Sequence, residues 1–157
     1  MKAECIDRKT FQLTDNGQTL GWLTYKNLFS DNAIITLANA DNYIIKPVGF
    51  LNTSIAVTKD ETEVANLKMN WKGQIIISFQ DGETFILKAK GAFYEKYIIE
   101  NMNNEKLIQF DPKFNWSKFN YNYEISYGQK PQDILVLLGV YASNYYIAAM
   151  SGAVAAM

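Results

Sequence analysis

The chain has 157 residues, of which 48% are hydrophobic and 14% aromatic, and this composition excludes a disordered chain. Fifteen Lys and Arg balance sixteen acidic residues with no block of like charge, which excludes the strongly basic surface of most nucleic-acid-binding proteins. Because histidine is absent, histidine-based triads, histidine general bases and mixed His/Cys zinc sites are excluded as well. The length predicts a single domain spanning residues 1–157.

Up to residue 129, short apolar runs alternate with turn signals, which predicts about twelve β-strands. The predicted strands lie near 2–6, 10–14, 19–25, 33–38, 43–46, 50–57, 63–69, 74–79, 84–88, 92–99, 105–110 and 116–126. Turn chemistry separates them, for example Asp15-Asn16-Gly17 and Asp81-Gly82. The clearest alternation places Phe119, Tyr121, Tyr123 and Ile125 on one face, so this strand is expected to have core on one side and water on the other.

A weak internal repeat with a spacing of about 42 residues runs through the strand region. The stretch from Ala33 to Phe50 parallels the stretch from Gln74 to Phe93, with Lys46 matching Lys88 and Gly49 matching Gly91. A degenerate third copy covers residues 106–126. Two or three copies are too few for a propeller, so we expect two similar halves of one sheet.

The segment from 131 to 157 predicts one hydrophobic helix. Pro131 suits a first helical turn, and Asp133 places a negative charge near the positive end of the helix dipole. A helix that is apolar on all faces must be buried in protein or in lipid. Asn144 lies near the middle of the run, and no Lys or Arg follows Lys130, so burial in protein is favoured over a tail anchor.

These two parts predict an α+β, mostly β, fold in which an antiparallel closed barrel of about twelve strands (residues 1–129) surrounds a buried hydrophobic C-terminal helix. A helix with its side chains is about 10–12 Å across, so it needs a wider barrel than eight strands provide. Closure also leaves no long sheet edge exposed.

A layout of about twelve short strands ending in one very hydrophobic helix resembles the tubby-like superfamily, in particular the LURP-one-related and phospholipid scramblase families. The resemblance implies a helix threading the barrel and, for scramblases, a membrane-anchoring role of that helix. The acidic calcium-associated segment of scramblases has one carboxylate here, in Tyr127-Gly-Gln-Lys-Pro-Gln-Asp133, so calcium dependence is not carried over. The Lys/Arg cluster with which tubby proteins bind phosphoinositides has no counterpart in the sequence.

Cysteine usage and the first residues predict a cytoplasmic protein, and a location peripheral to membranes is expected only from the tryptophan and lysine pattern described next. Cys5 is a single cysteine and cannot form an internal disulfide, and residues 1–8 lack the apolar core of a secretory signal. No cofactor is predicted.

The binding pattern that the sequence offers pairs tryptophan with lysine, an arrangement typical of membrane headgroup level. The candidate membrane or anion contacts are Trp22, Lys26, Lys68, Trp71, Lys72, Lys113, Trp116 and Lys118. We therefore expect a non-enzymatic module that binds anionic lipid headgroups weakly, without catalytic residues or metal ligands. A protein-interaction scaffold with another protein as its partner, and a tail-anchored scramblase-like protein, remain alternatives. The oligomeric state stays open.

Overall fold

The structure, a computed structural model, describes residues 1–93 and 95–155 and contains twelve strands and one long helix. The strands are β1 Lys2–Cys5, β2 Thr10–Asp15, β3 Gln18–Tyr25, β4 Ala33–Leu37, β5 Asn42–Val48, β6 Ser54–Lys59, β7 Thr62–Met69, β8 Ile75–Phe79, β9 Thr84–Lys90, β10 Lys96–Asn101, β11 Lys106–Asn115 and β12 Asn120–Tyr127. The helix α1 is Asp133–Ala155, and a short 3₁₀ turn covers Phe50–Asn52.

Each strand pairs antiparallel with its neighbours in the chain, and β1 pairs with β12 to close the ring. The predicted closed barrel of twelve strands is therefore confirmed. Inward-facing residues of adjacent strands lie opposite one another, as in the row Phe11, Leu23 and Ile35, each fully buried. Side chains alternate between the two faces of a strand, so this row forms the lining of the barrel.

The helix α1 runs through the interior of the barrel. It contacts β3 and β4 on one wall and β9 and β11 on the opposite wall. Glycines permit the close approach: a Cβ on Gly139 would lie 2.9 Å from Cε2 of Phe110 and 3.0 Å from Cδ1 of Ile99. On the other wall, a Cβ on Gly21 would lie 3.1 Å from Cδ1 of Leu137. The helix thus fills the interior with almost no clearance.

Polar groups of the helix find their partners inside the barrel. The Tyr123 hydroxyl donates to Oδ1 of Asn144 at 2.6 Å, and Nδ2 of Asn144 donates to the Tyr25 hydroxyl at 3.1 Å. The Tyr141 hydroxyl donates to the backbone carbonyl of Asp31 at 2.7 Å. Burial raises the pKa of Tyr123 and Tyr141 above the ordinary tyrosine value. The expectation that a protein interior would satisfy Asn144 is met.

Several predicted boundaries were wrong, and glycine conformations explain two of them. Gly49 and Gly91 have φ values of 82° and 95°, so the chain turns there and β6 and β10 begin later than the apolar runs at 50 and 92 suggest. Phe119, with a φ of 51°, lies in a loop and is 66% exposed instead of facing the core. The helix begins at Asp133 rather than at residue 131, and residues 156 and 157 of its predicted span lie outside the described residues.

The repeat has a different geometry from the expected sheet halves. Its two clear copies cover β4–β5 and β8–β9, which are four strands apart in a ring of twelve. The hairpins β2–β3, β6–β7 and β10–β11 each carry a register shift, at Leu13/Thr14, Val57/Thr58 and Ile99/Glu100. Because these shifts also recur every four strands, the barrel has a threefold rather than a twofold pattern.

Candidate functional site

The two ends of the barrel differ in chemistry. Because successive strands run in opposite directions, successive connections lie at opposite ends of the barrel, and every second connection lies at the same end. One end, called the aromatic end, carries the connections 6–9, 26–32, 49–53, 70–74, 91–95 and 116–119. The opposite end, called the acidic end, carries the connections 16–17, 38–41, 60–61, 80–83, 102–105 and 128–132.

Large apolar side chains project into solvent from the connections of the aromatic end. Those described are Ile6, Leu28, Phe29, Phe50, Leu51, Trp71, Phe93, Trp116 and Phe119. Phe29 is 97% exposed, Phe93 91% and Trp71 90%. Among the described connections of the acidic end, Met102 alone is a large exposed apolar residue. A concentration of exposed apolar side chains at one end of a barrel is typical of an interaction site.

The loops are held in shape by side-chain acceptors that bind their backbone. Oδ1 of Asn70 accepts from the backbone N–H groups of Lys72 and Gln74, both at 2.9 Å. Oδ1 of Asn27 accepts from the N–H of Phe29 at 3.1 Å. Because these polar side chains satisfy the loop backbone, the apolar tips are left pointing outward.

Two acidic residues of the aromatic end serve the same purpose. Glu95 accepts from the backbone N–H of Phe93 at 3.0 Å, and hydrogen bonds from its own N–H and from Phe93 lower its pKa. Asp7 accepts from the backbone N–H groups of Lys9 and Thr10, which lower the pKa of this carboxyl. These carboxylates stay ionised but are directed at the loop backbone.

Charge separates the two ends as sharply as apolarity does. The connections of the aromatic end contain five basic residues, Arg8, Lys9, Lys26, Lys72 and Lys118, and three acidic residues, Asp7, Asp31 and Glu95. Those of the acidic end contain six acidic residues, Asp41, Asp60, Glu61, Asp81, Glu83 and Glu105, and one basic residue, Lys130. A net charge of −1 for the whole chain therefore hides a strong polarity along the barrel axis.

Cations at the aromatic end lie beside exposed rings. Nζ of Lys72 lies 5.4 Å from the centroid of the Trp71 ring, and Cζ of Arg8 lies 5.5 Å from the centroid of the Phe119 ring. Such pairs place a positive tip next to an amphipathic or apolar ring. This combination suits a partner surface that has an anionic outer layer and an apolar layer beneath it.

Five of the eight residues predicted from the sequence lie in connections of the aromatic end: Lys26, Trp71, Lys72, Trp116 and Lys118. The other three lie on strands. Trp22 is half-buried on the outer wall of β3, opposite Gln12 and Thr36. Lys68 lies on β7, and Lys113 on β11 forms an ion pair with Glu124 at 2.6 Å. The structure therefore gathers five of the predicted residues at one end and leaves three on the wall.

Sequence reasoning missed the most exposed residues of this end. Phe50, Phe93 and Phe119 had been placed in predicted strands because a strand and an apolar loop tip have the same composition. For Phe50 and Phe93, the distinguishing signal is the glycine just before them, Gly49 or Gly91, followed by a new apolar run, whereas Phe119 has no such glycine. Phe29 lies within Asn27 to Asn32, a segment rich in turn residues.

The end of α1 emerges at the aromatic end. Ala148, Ala149, Met150 and Ser151 are exposed, whereas most of the helix before them is buried. Residues 133–151 are long and apolar enough to cross a membrane, and 56% of their 18-residue stretch of highest mean hydropathy is buried inside the barrel. The core helix of a soluble protein meets the same criterion, so the emerging end adds apolar surface to the loops without defining a span.

A cavity of about 280 Å³ lies where the helix leaves the barrel. Arg8, Asp31, Tyr141 and Asn144 contribute to its lining. Burial raises the pKa of Asp31 above the ordinary aspartate value. The other reactive group near this end, the Cys5 thiol, is buried, and desolvation raises its pKa to about 11.

Comparison of the chain with known protein families, with curated proteins and with solved structures finds no match.

Proposed function

We propose that this chain is a non-enzymatic module of the cytoplasm that docks on anionic membrane surfaces through its aromatic end. The observation that carries the proposal is the coincidence at one end of exposed apolar tips and of excess positive charge, with the opposite chemistry at the other end. The occupant that matches both properties is a lipid surface with anionic headgroups.

The apolar tips supply the part of the affinity that does not depend on the charge of the lipid headgroups. Removing a largely exposed phenylalanine such as Phe29 or Phe93 from water contributes about 1.5–3 kcal/mol. Trp71 and Trp116 have the amphipathic rings that are enriched at headgroup level. These contributions are offset in part by the cost of orienting the barrel on the surface.

The basic residues supply the preference for anionic lipid. Each Lys or Arg close to such a surface contributes about 1 kcal/mol, and the contribution decreases as salt screens it. Lys72 and Lys118 lie in the loops that carry Trp71 and Trp116, so charge and apolar contact act at the same depth. The helix α1 stays inside the barrel in the docked state, because leaving would empty the core.

The test is flotation of the full chain with vesicles of phosphatidylcholine, with or without phosphatidylserine. The parent is expected to float with the anionic vesicles, and added salt is expected to weaken its binding. Phe29→Ser combined with Phe93→Ser is expected to weaken binding by about tenfold or more. Met102→Ser, at the acidic end, is the matched control and should bind like the parent.

A second pair of variants tests the charge. Lys72→Gln with Lys118→Gln should reduce binding to anionic vesicles and leave weak binding to neutral ones, whereas Lys106→Gln with Lys130→Gln should change neither. A parent that ignores both kinds of vesicle would overturn the proposal and leave the aromatic end to a protein partner. Equal binding of the parent and the double phenylalanine variant would also overturn it.

A further inference from the structure

An open groove on the outer wall of the barrel lies apart from the exposed loop tips. Its volume is about 480 Å³, within the range of roughly 300–1,000 Å³ that small-molecule sites occupy. Ile34 and Ile44, paired across β4 and β5 and 46% and 44% exposed, form its apolar floor. Lys9, Lys26 and Lys46 also line it, and none of the described acidic residues does.

Lys26 and Lys46 have no acidic partner of their own within the described part of the chain, whereas Lys9 lies close enough to Asp7 to contribute to the lowered pKa of that carboxyl. Among the described residues, no carboxylate lies within ion-pair distance of Lys9, Lys26 or Lys46. A groove that combines an apolar floor with uncompensated positive charge is complementary to an anionic amphiphile.

In the second copy of the internal repeat, side chains of the protein itself cover the surface that corresponds to the groove. Ile76, Ile86 and Lys88 occupy the positions of Ile34, Ile44 and Lys46 in the second copy. There, Glu100 of β10 lies opposite Ile86 and forms an ion pair with Lys88 at 2.5 Å. Ile98 lies opposite Lys88 and is 5% exposed, and both Ile76 and Ile86 are half-buried.

The first copy lacks these two filling residues. Thr58 lies opposite Ile44, where the second copy has Glu100, and Ala56 lies opposite Lys46, where the second copy has Ile98. At these two positions, which adjoin the groove through their partners Ile44 and Lys46, β6 therefore provides neither a carboxylate nor a branched aliphatic side chain. What the first copy lacks is one carboxylate and a few apolar carbons.

We propose that the groove formed by Ile34, Ile44, Lys9, Lys26 and Lys46 binds a free long-chain fatty acid. The carboxylate lies against Lys46, as Glu100 lies against Lys88, and the aliphatic chain covers Ile34 and Ile44. A single-chain monocarboxylate supplies both missing features in one molecule. The groove adjoins the aromatic end and shares Lys9 and Lys26 with its connections, but none of the exposed aromatic tips lines it, so its test is separate from vesicle docking.

Two properties of binding follow from this geometry. Each CH₂ that reaches the groove floor tightens binding by up to about fourfold, so dodecanoate binds more tightly than octanoate. Reversal of the headgroup charge removes the lysine contribution, so dodecyltrimethylammonium of the same chain length binds at least about fivefold more weakly.

The experiment is isothermal titration of the full chain with dodecanoate below its micelle concentration. Saturable binding to one site per chain is expected. Ala56→Ile combined with Thr58→Glu copies the filling residues of the second repeat into the first and is expected to abolish binding. Because the second repeat already accommodates this arrangement, the melting temperature should change little.

A single substitution keeps the test decisive if the double variant fails to fold. Lys46→Glu should weaken dodecanoate binding at least about fivefold, whereas Lys130→Glu at the acidic end should bind like the parent. Absence of saturable binding, equal binding of the cationic amphiphile, or unchanged binding by Lys46→Glu would each overturn the inference. Phe29→Ser with Phe93→Ser should keep dodecanoate binding, which separates this site from vesicle docking.

Discussion

The two parts of α1 have similar composition and different surroundings. The inner segment, residues 134–146, is mostly buried in the barrel, and the outer segment, residues 148–151, is exposed at the aromatic end. Neither segment carries a charged residue. The difference teaches that apolarity alone does not assign a residue to the core, because the length of the surrounding wall decides where the core stops.

The lengths of the helix and of the strands explain why the helix divides into a buried and an exposed segment. The helix has 23 residues and is about 35 Å long. A strand of eight residues, such as β3, rises about 26 Å, and less along the barrel axis because strands in barrels are tilted. The excess helix has to leave the barrel, and it does so at the end where the exposed aromatic tips lie.

The largest expected difference between the two segments is in how much stability they lose when a larger side chain is introduced. Gly139→Leu should lower the free energy of unfolding by about 3 kcal/mol or more, because even a Cβ there meets Phe110 and Ile99. Ala149→Leu, in the outer segment, should leave stability within about 0.5 kcal/mol of the parent. Thermal unfolding followed by circular dichroism compares the two. A cooperative transition of Gly139→Leu near the parent's melting temperature would contradict the packing of this helix.

The next difference appears at alkaline pH, because buried tyrosines lie in and around the inner segment and the outer segment has no tyrosine. Burial raises the pKa of Tyr97 to about 12 and raises the pKa of Tyr123 and Tyr141 as well, above the ordinary value of 10.0. The stability that these groups contribute is fully present below the unfolded-state pKa and is lost as the pH rises through the folded-state values. For each buried tyrosine the loss is about 1.4 kcal/mol per pH unit above the ordinary pKa.

Melting temperatures recorded from about pH 8 to about pH 12 test this expectation. Stability should be constant at first and then decrease, with the tyrosinate absorbance of Tyr97, Tyr123 and Tyr141 appearing only as the protein unfolds. Tyr141→Phe should be less stable at neutral pH, because its hydroxyl bonds Asp31, but should lose less on alkalinisation. Appearance of most tyrosinate in the folded protein would contradict the burial of these hydroxyls.

The smallest expected change in stability belongs to the outer segment and has a functional readout. Met150→Asp should leave the melting temperature unchanged, since Met150 is 40% exposed. On the membrane proposal it should weaken binding to anionic vesicles by about fivefold, because it adds a negative charge where the surface approaches. Met102→Asp at the acidic end is the control and should bind as the parent does. Equal binding of both variants would place the outer segment outside the contact.

Most of the fold could be predicted from sequence because its signals are local. Turn residues such as Asn16 and Gly17 mark the hairpins, and the uncharged run after Asp133 needs an enclosure as wide as a twelve-strand barrel. The number of strands and the presence of a central helix follow from these signals. Their threefold arrangement does not, because it rests on register shifts that leave no clear mark in composition.

The candidate site was predicted only in part, for a physical reason. Trp71 and Lys72 are neighbours in sequence, so their pairing was visible, whereas Phe29, Phe50 and Phe93 come together only through the alternation of the strands. Trp22 also has a lysine nearby in sequence, Lys26, but it lies in the middle of β3. Exposure depends on whether a residue follows the end of a strand, and strand ends were the least accurate part of the prediction.

The order of elements along the chain also sets the order in which the protein becomes stable. All strand pairings except that of β1 with β12 join neighbours in sequence, so hairpins form readily during synthesis. The barrel interior, however, is filled by a helix that follows all twelve strands. Until that helix has left the ribosome, the inward rows of Phe, Leu and Ile have nothing to pack against. We therefore expect the barrel to expose apolar surface until its final step, and a chain truncated near residue 133 to be prone to aggregation.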